Sequence, residues 1–283
     1  MQIAHSIEDL HHLLKPASQR TFVPTMGNLH AGHLELIKAA KQTLPDAVSV
    51  ASIFVNRLQF APHEDFDSYP RTFANDCSLL EAQGCDVLFA PQENDLYPEP
   101  QVFKVHPPAD LADILEGAFR PGFFVGVSTV VHKLFNCVQP DVAVFGKKDY
   151  QQLMVIKRMV QQMALPIQIV GVDTLRADDG LALSSRNGYL SAVERARAVE
   201  LSGALKNMAA SVRENLSGDA SKVVAQIEDQ AMQSLHSKGW HPDYLVVRHQ
   251  HDLSAVTQFS DSPLVVLGAA RLGNTRLIDN LEI

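Results

Sequence analysis

Short apolar runs rich in Val, Ile and Phe recur along the first two-thirds of the chain, at residues 21–24, 48–55, 86–90, 141–145 and 167–172. Segments with helical spacing separate them. Apolar strands alternating with helices predict a parallel sheet covered on both faces. The clearest helix is predicted over residues 150–163, where Leu153, Ile156, Val160 and Met163 make one stripe and Pro166 stops the pattern. A second follows His33, with Ile37, Ala40 and Leu44 on one face and Pro45 at its end.

The texture changes after about Thr174. Ser191-Ala-Val-Glu194 has the capping-box form and opens a long helix carrying Ala198, Leu201, Leu205, Met208 and Val212. Ser217-Gly218-Asp219 breaks it, and a further helix carries Val224, Ile227, Ala231 and Leu235. Strand-like runs at 244–247, 264–270 and 277–280 follow. The expected fold is therefore α/β: a Rossmann-like parallel sheet over residues 1–174, then a smaller α+β domain over 175–283. No internal repeat or low-complexity segment is visible.

Composition adds exclusions. The chain has 283 residues, 46% hydrophobic and 20% charged, which is globular rather than disordered or coiled-coil. Its longest apolar run, 48–55, is interrupted by Ser49 and Ser52 and falls far short of the ~20 residues of a membrane span. No basic stretch followed by an apolar one marks a secretory signal. Cys77, Cys85 and Cys137 form neither a CxxC pair nor an even set, so no disulfide or zinc framework is expected. A net charge of −8 argues against a nucleic-acid footprint. These features predict a cytoplasmic chain with neither membrane nor nucleic acid as partner.

The GxGxxG, GxxxxGK[ST] and GxSxG signatures are absent, which removes the commonest dinucleotide, P-loop and hydrolase readings. The first strand instead runs into Pro24-Thr-Met26-Gly27-Asn-Leu-His30-Ala-Gly32-His33. Two glycines bracket a turn at a strand's carboxyl end, and two histidines sit where a helix starts. Oriented amides, a positive dipole end and two imidazoles suit a polyphosphate. Zinc fits less well, because no third ligand at sensible spacing is visible. Asn56 and Gln59 follow the second strand and read either as contacts to a small polar substrate or as turn residues satisfying loop backbone. Asp65, Asp67, Tyr69 and Arg71 read as a cation-holding or lid cluster, or as capping and a surface ion pair. Gly146-Lys147-Lys148-Asp149-Tyr-Gln-Gln152 is a second strand-to-helix turn, read as phosphate-binding or as solvated. Ser184-Ser185-Arg186-Asn187, preceded by Arg176-Ala-Asp-Asp-Gly180, supplies hydroxyls and a guanidinium able to meet phosphate oxygens.

Together these segments resemble the pantothenate synthetase (pantoate–β-alanine ligase) family of the nucleotidylyltransferase superfamily. His30-Ala-Gly-His33 matches the superfamily HxGH, and Ser184-Ser-Arg186 is similar to its KMSKS loop. Val55-Asn56…Leu58-Gln-Phe60, Tyr69-Pro-Arg-Thr72, Phe145-Gly…Lys148-Asp-Tyr-Gln-Gln152 and Asp179-Gly-Leu-Ala-Leu-Ser-Ser-Arg-Asn187 narrow the match to the ligase, with a thinner echo over 270–279. The resemblance implies pantoate, β-alanine and MgATP as substrates, a pantoyl-adenylate intermediate, and a homodimer. It implies His30, His33, Lys148 and Arg186 as catalytic residues, with His33 donating a proton. ATP would also meet Met26, Gly27, Gly32, Gly146, Lys147, Asp149, Leu175, Leu183, Ser184 and Ser185. Pantoate would meet Gln59 and Gln152, with Asn56 beside them and Gln59 also near β-alanine. It implies too that the second domain closes over the site as a lid. Three departures stand out: Lys147 where Glu is usual, Arg57 where Pro is usual, and Phe123-Phe124-Val125 for His-Phe-Arg. The same residues also admit another small-molecule adenylylating enzyme, or a catalytically silent nucleotide binder.

Overall fold

The computed structural model describes residues 1–283 apart from His63, Asp65, Leu216 and Asp261. Strands β1 (Gln2–Ala4), β2 (Arg20–Thr25), β3 (Val48–Ile53), β4 (Val87–Phe89), β5 (Val142–Gly146) and β6 (Gln168–Val172) form one sheet. Their order is β1-β4-β3-β2-β5-β6, and every pairing is parallel. Parallel neighbours need long crossovers. Helices α1 (Ile7–Leu14), α2 (Ala31–Thr43), α3 (Phe73–Ala82), α4 (Glu93–Leu96), α5 (Ala109–Ala112), α6 (Glu116–Phe119), α7 (Phe123–Val138) and α8 (Tyr150–Gln162) lie on those crossovers.

Side-chain alternation along the strands splits the core in two. Phe22, Val50, Phe89 and Ala143 join one cluster with Leu10 of α1, Leu134 of α7 and Ile156 of α8. Val23, Ala51, Leu88 and Val144 join another with Ile37 and Ala40 of α2 and Leu80 of α3. Both faces of the sheet are thus covered, as uninterrupted apolar strands require.

A second sheet is antiparallel, in the order β7 (His241–His249), β8 (Leu264–Leu272), β9 (Thr275–Glu282). Before it come α9 (Ala192–Arg197), α10 (Val199–Glu214) and α11 (Ala220–Ser237). Ser191 caps α9 through the reciprocal bond with Glu194 that the S-x-x-E spacing predicts. The stripes of α10 (Leu201, Leu205, Met208, Val212) and α11 (Val224, Ile227, Ala231, Leu235) share one core with Trp240, Leu245, Val247 and Val266. Trp240 is fully buried, and its indole N–H donates to Glu200 at 2.7 Å.

Packing divides the chain into two units: Met1–Lys147 with Gln152–Thr174, and Lys148–Gln151 with Leu175–Ile283. Among the described residues no helix is long and apolar enough to cross a membrane.

Candidate active site

From β2 the chain moves to β3 on one side, whereas from β5 it moves to β6 on the other. The carboxyl ends of β2 and β5 therefore form the topological switch point, where open α/β sheets take their ligands. The local sequence opens that point. The Arg20 carbonyl accepts from Asp141 N–H on the β5 side, and the Thr25 carbonyl accepts from Phe54 N–H on the β3 side. By alternation Pro24 turns toward β5, where it has no N–H to give. The β2–β5 ladder accordingly stops at Phe22↔Ala143, while β2–β3 pairing runs on to Thr25↔Ile53.

The loop leaving β2 is held in an unusual shape. Gly27 (φ 82°) and Asn28 (φ 51°) are consecutive left-handed residues, a costly conformation for Asn28. The buried carboxylate of Asp76, from α3, fixes it. Asp76 accepts from Asn28 N–H at 2.9 Å, Leu29 N–H at 2.8 Å and the Thr72 hydroxyl at 3.1 Å. A Cβ on Gly27 would sit 3.1 Å from Asp76 Oδ2.

His30 is the N-cap of α2. Its Nδ1 accepts from Gly32 N–H at 3.1 Å, and His33 Nδ1 accepts from His30 N–H at 3.3 Å. This is a capping box built from two imidazoles, whose centroids lie 4.2 Å apart. A neutral imidazole that accepts at Nδ1 carries its proton on Nε2. Both rings are thus Nε2–H donors beside the positive end of α2.

Asn56 and Gln59 meet Met26 in the same unit. Gln59 Nε2 lies 3.1 Å from Met26 Sδ, and Asn56 Nδ2 donates to Gln59 Oε1 at 3.1 Å and to the Gly126 carbonyl at 3.2 Å. The Tyr97 hydroxyl donates to Asn56 Oδ1 at 3.0 Å. Burial, with Glu93 adding to it, pushes the Tyr97 phenol up, so it stays a donor at neutral pH. Asn56 is itself buried and is spent on orienting Gln59. α7 crosses this turn at glycine because nothing larger fits: a Cβ on Gly126 would overlap the Leu58 carbonyl. Gly126→Ala is expected to cost about 3 kcal/mol or more and to shift the Asn56–Gln59 turn that α7 crosses. Denaturant unfolding checks this, and an unchanged midpoint would contradict the packing.

The loop leaving β5 begins at Gly146. Lys147 reaches along β6, and its ammonium pairs with Asp173 at 2.8 Å. The Lys147 charge is thereby engaged locally. Lys148 and Asp149 complete a 3-10 turn, and half-buried Gln152 lies on the first turn of α8.

In the second unit Leu175 and Leu183 face each other across a short hairpin, with Leu183 N–H donating to the Leu175 carbonyl at 3.0 Å. The hairpin delivers Ser184, whose hydroxyl caps the 3-10 turn Ser185–Tyr189 by accepting from Arg186 N–H. Lys148, Ser184, Asn187 and Asp279 line one small cavity with Leu181, Ala182, Leu201 and Leu277. The structure thus gathers Met26, Gly27, His30, Gly32, His33, Asn56 and Gln59 in one unit, and Lys148 and Ser184 around a cavity in the other.

Of the cluster Asp65, Asp67, Tyr69 and Arg71, Asp65 lies outside the described residues. Asp67 is exposed, and Arg71 donates to the carbonyls of Phe66, Asp67 and Tyr69, which is loop ordering. The departure at Phe123 places its ring 3.7 Å from the Arg120 guanidinium carbon, a cation–π contact. Arg120 also holds Glu64 at 2.6 Å and the Gln59 carbonyl at 3.3 Å. Asp76 and Tyr97 carry no sequence pattern of their own, and Arg176 shows its use only through its partner Asp279.

The chain matches the family model described as pantoate-beta-alanine ligase over residues 2–282. It is 60% identical over 290 residues to the pantothenate synthetase of Leptothrix cholodnii, covering 100% of both chains. The crystal structure of pantothenate synthetase from Thermus thermophilus superposes with a TM-score of 0.90 at 41% identity, covering 99% of each chain. Pantoate-beta-alanine ligase from Francisella tularensis, crystallised in complex with beta-gamma ATP and beta-alanine, has a TM-score of 0.75 at 33% identity. That match covers 99% of this chain and 97% of the Francisella chain. A match over all but the terminal residues, on a sheet whose switch point carries the HxGH turn, settles the assignment: the chain belongs to the pantoate–beta-alanine ligase family.

Proposed function

We propose that the chain joins pantoate to β-alanine at the expense of MgATP through two half-reactions. In the first, a pantoate carboxylate oxygen attacks the α-phosphorus of ATP and pyrophosphate leaves, giving pantoyl adenylate. In the second, the β-alanine amine attacks the acyl carbon, AMP leaves with its phosphate oxygen, and the amine gives up a proton. The first step needs no base, because a carboxylate with a pKa near 4 is already ionised at neutral pH. It needs in-line positioning and donors for charge on the phosphoryl oxygens.

The observation that carries this reading is the two-histidine cap. Its Nε2–H donors and the amides of α2 offer a phosphate group several donors and no negative charge. In this reading His30, His33, Lys148 and Arg186 hold the phosphates, with His33 donating to the departing group. Met26, Gly27, Gly32, Gly146, Lys147, Asp149 and the 175–186 hairpin complete the ATP contacts, and magnesium enters on the nucleotide. Gln59 and Gln152 hold pantoate, and Asn56 sets Gln59. The beta-gamma ATP and beta-alanine of the Francisella complex support the substrate assignment.

Pyrophosphate release tests the reading. With ATP and pantoate alone, about one equivalent per site is expected, with steady turnover once β-alanine is added. Release that ignores pantoate would reject the proposal.

A further inference from the structure

We infer that Arg176 is a positioning residue that ties together two segments of the second unit assigned above to phosphate binding. The inference rests on that assignment. The Arg176 guanidinium donates to Asp279 Oδ2 at 2.8 Å and Oδ1 at 2.9 Å, a bidentate pair in which the carboxylate side chain is only 4% exposed. The same group donates to the Asn280 carbonyl at 3.0 Å and to the Gly180 carbonyl at 3.1 Å. One arm therefore fixes the hairpin. Arg176 bridges Ala182 across it, Gly180 turns it at φ 93°, and Ser184 follows directly. The other arm fixes the end of β9. Asp279 Oδ1 also accepts the backbone N–H of Asn280 at 2.8 Å, and the Asn280 side-chain Nδ2 donates to the Lys148 carbonyl at 2.9 Å. The Ser184 turn and the Lys148 turn are held in register by one planar fork.

Stability alone does not explain the pair. A buried ion pair is commonly no better than well-packed apolar residues of similar size. What the guanidinium adds is fixed direction at several acceptors at once, which lysine does not reproduce.

The test compares wild type, Arg176→Lys and Asn280→Ala in pantoate-dependent pyrophosphate release and in complete turnover. Arg176→Lys is expected to raise the KM for ATP and lower the rate of adenylate formation, together by roughly 10- to 100-fold. The KM for β-alanine should stay within about twofold. Asn280→Ala removes the side-chain amide that reaches Lys148 and keeps the backbone bonds to Asp279 and Arg176, so a smaller loss of the same kind is expected. The double variant should lose less than the product of the two single effects, because the sites are coupled. If Arg176→Lys does not fold, Asn280→Ala decides by itself. Single variants that unfold more easily but keep wild-type ATP kinetics would assign Arg176 to stability alone and overturn the inference. Absence of pantoate-dependent release from the wild type would instead reject the functional reading beneath it.

Discussion

His33→Asn is expected to give a folded protein that forms adenylate about 100- to 1,000-fold more slowly than wild type, the usual cost of removing one preorganised donor. The asparagine is chosen because the two ring nitrogens do different work. Nδ1 accepts the His30 N–H and closes the helix cap. An asparagine carbonyl reaches about the same place, so the capping bond survives while the Nε2–H is lost. His33→Ala removes both and should lose, beyond the same activity, about 1 kcal/mol of stability from the missing cap. Single-turnover adenylate formation, trapped with hydroxylamine, measures the first effect, and denaturant unfolding measures the second. A wild-type single-turnover rate in either variant would end the assignment of His33 to the chemistry. His30→Asn divides in the same way, because His30 Nδ1 accepts from Gly32 N–H.

Asp76→Asn is expected to damage both the fold and ATP use, although Asp76 is buried away from solvent. The carboxylate accepts two backbone N–H groups and the Thr72 hydroxyl. An amide must either turn its NH2 toward one of those donors or leave one unpaired. A buried donor without a partner costs about 1–3 kcal/mol, and the left-handed Asn28 loses the contact that offsets its strain. We expect a stability loss of about 3 kcal/mol, seen as a lower denaturant midpoint at unchanged slope. In the fraction that stays folded, the KM for ATP should rise, because the loop that presents His30 and His33 has lost its tether. An unchanged midpoint would show that the loop keeps its shape by other means. Loss of stability with an unchanged KM would confine Asp76 to folding.

These two predictions also mark where the sequence was readable. The parallel strands announce themselves as short uninterrupted apolar runs, because both of their faces are buried, and the helices α2, α8, α10 and α11 because each buries one side and shows the other to water. α7 does not. Residues 126–131 are buried without interruption, glycine, serine and threonine dilute the apolar run there, and the helix's polar face appears only from His132 onward. β1 is only three residues long, and Ile3 is 41% exposed. In the site, the HxGH turn is legible because spacing and residue type together specify it. Asp76 is not, since it lies 48 and 47 residues from the amides it holds and meets backbone, which has no sequence signature. Arg176 and Asp279 are 103 positions apart, and nothing in either neighbourhood names the other. Lys147 shows the opposite limit. Its place beside the β5 turn was readable, but not that its ammonium would turn to Asp173.

The four residues Lys148–Gln151 have one more consequence, for recombination. They belong to the unit otherwise made of Leu175–Ile283, so that unit is not a contiguous tail. A crossover between two homologous genes at codon 174 would look neutral on a linear map. It would nevertheless take the Lys148 carbonyl and the Tyr150 hydroxyl from one parent, and Asn280 and Glu282, which they meet at 2.9 and 3.0 Å, from the other. Chimeras cut there inherit a seam through the Lys148 turn itself. The Lys148 carbonyl is present whatever residue stands there, so the parents must match at Asn280, which reaches it, and at the pair Tyr150 and Glu282, more than a hundred codons apart.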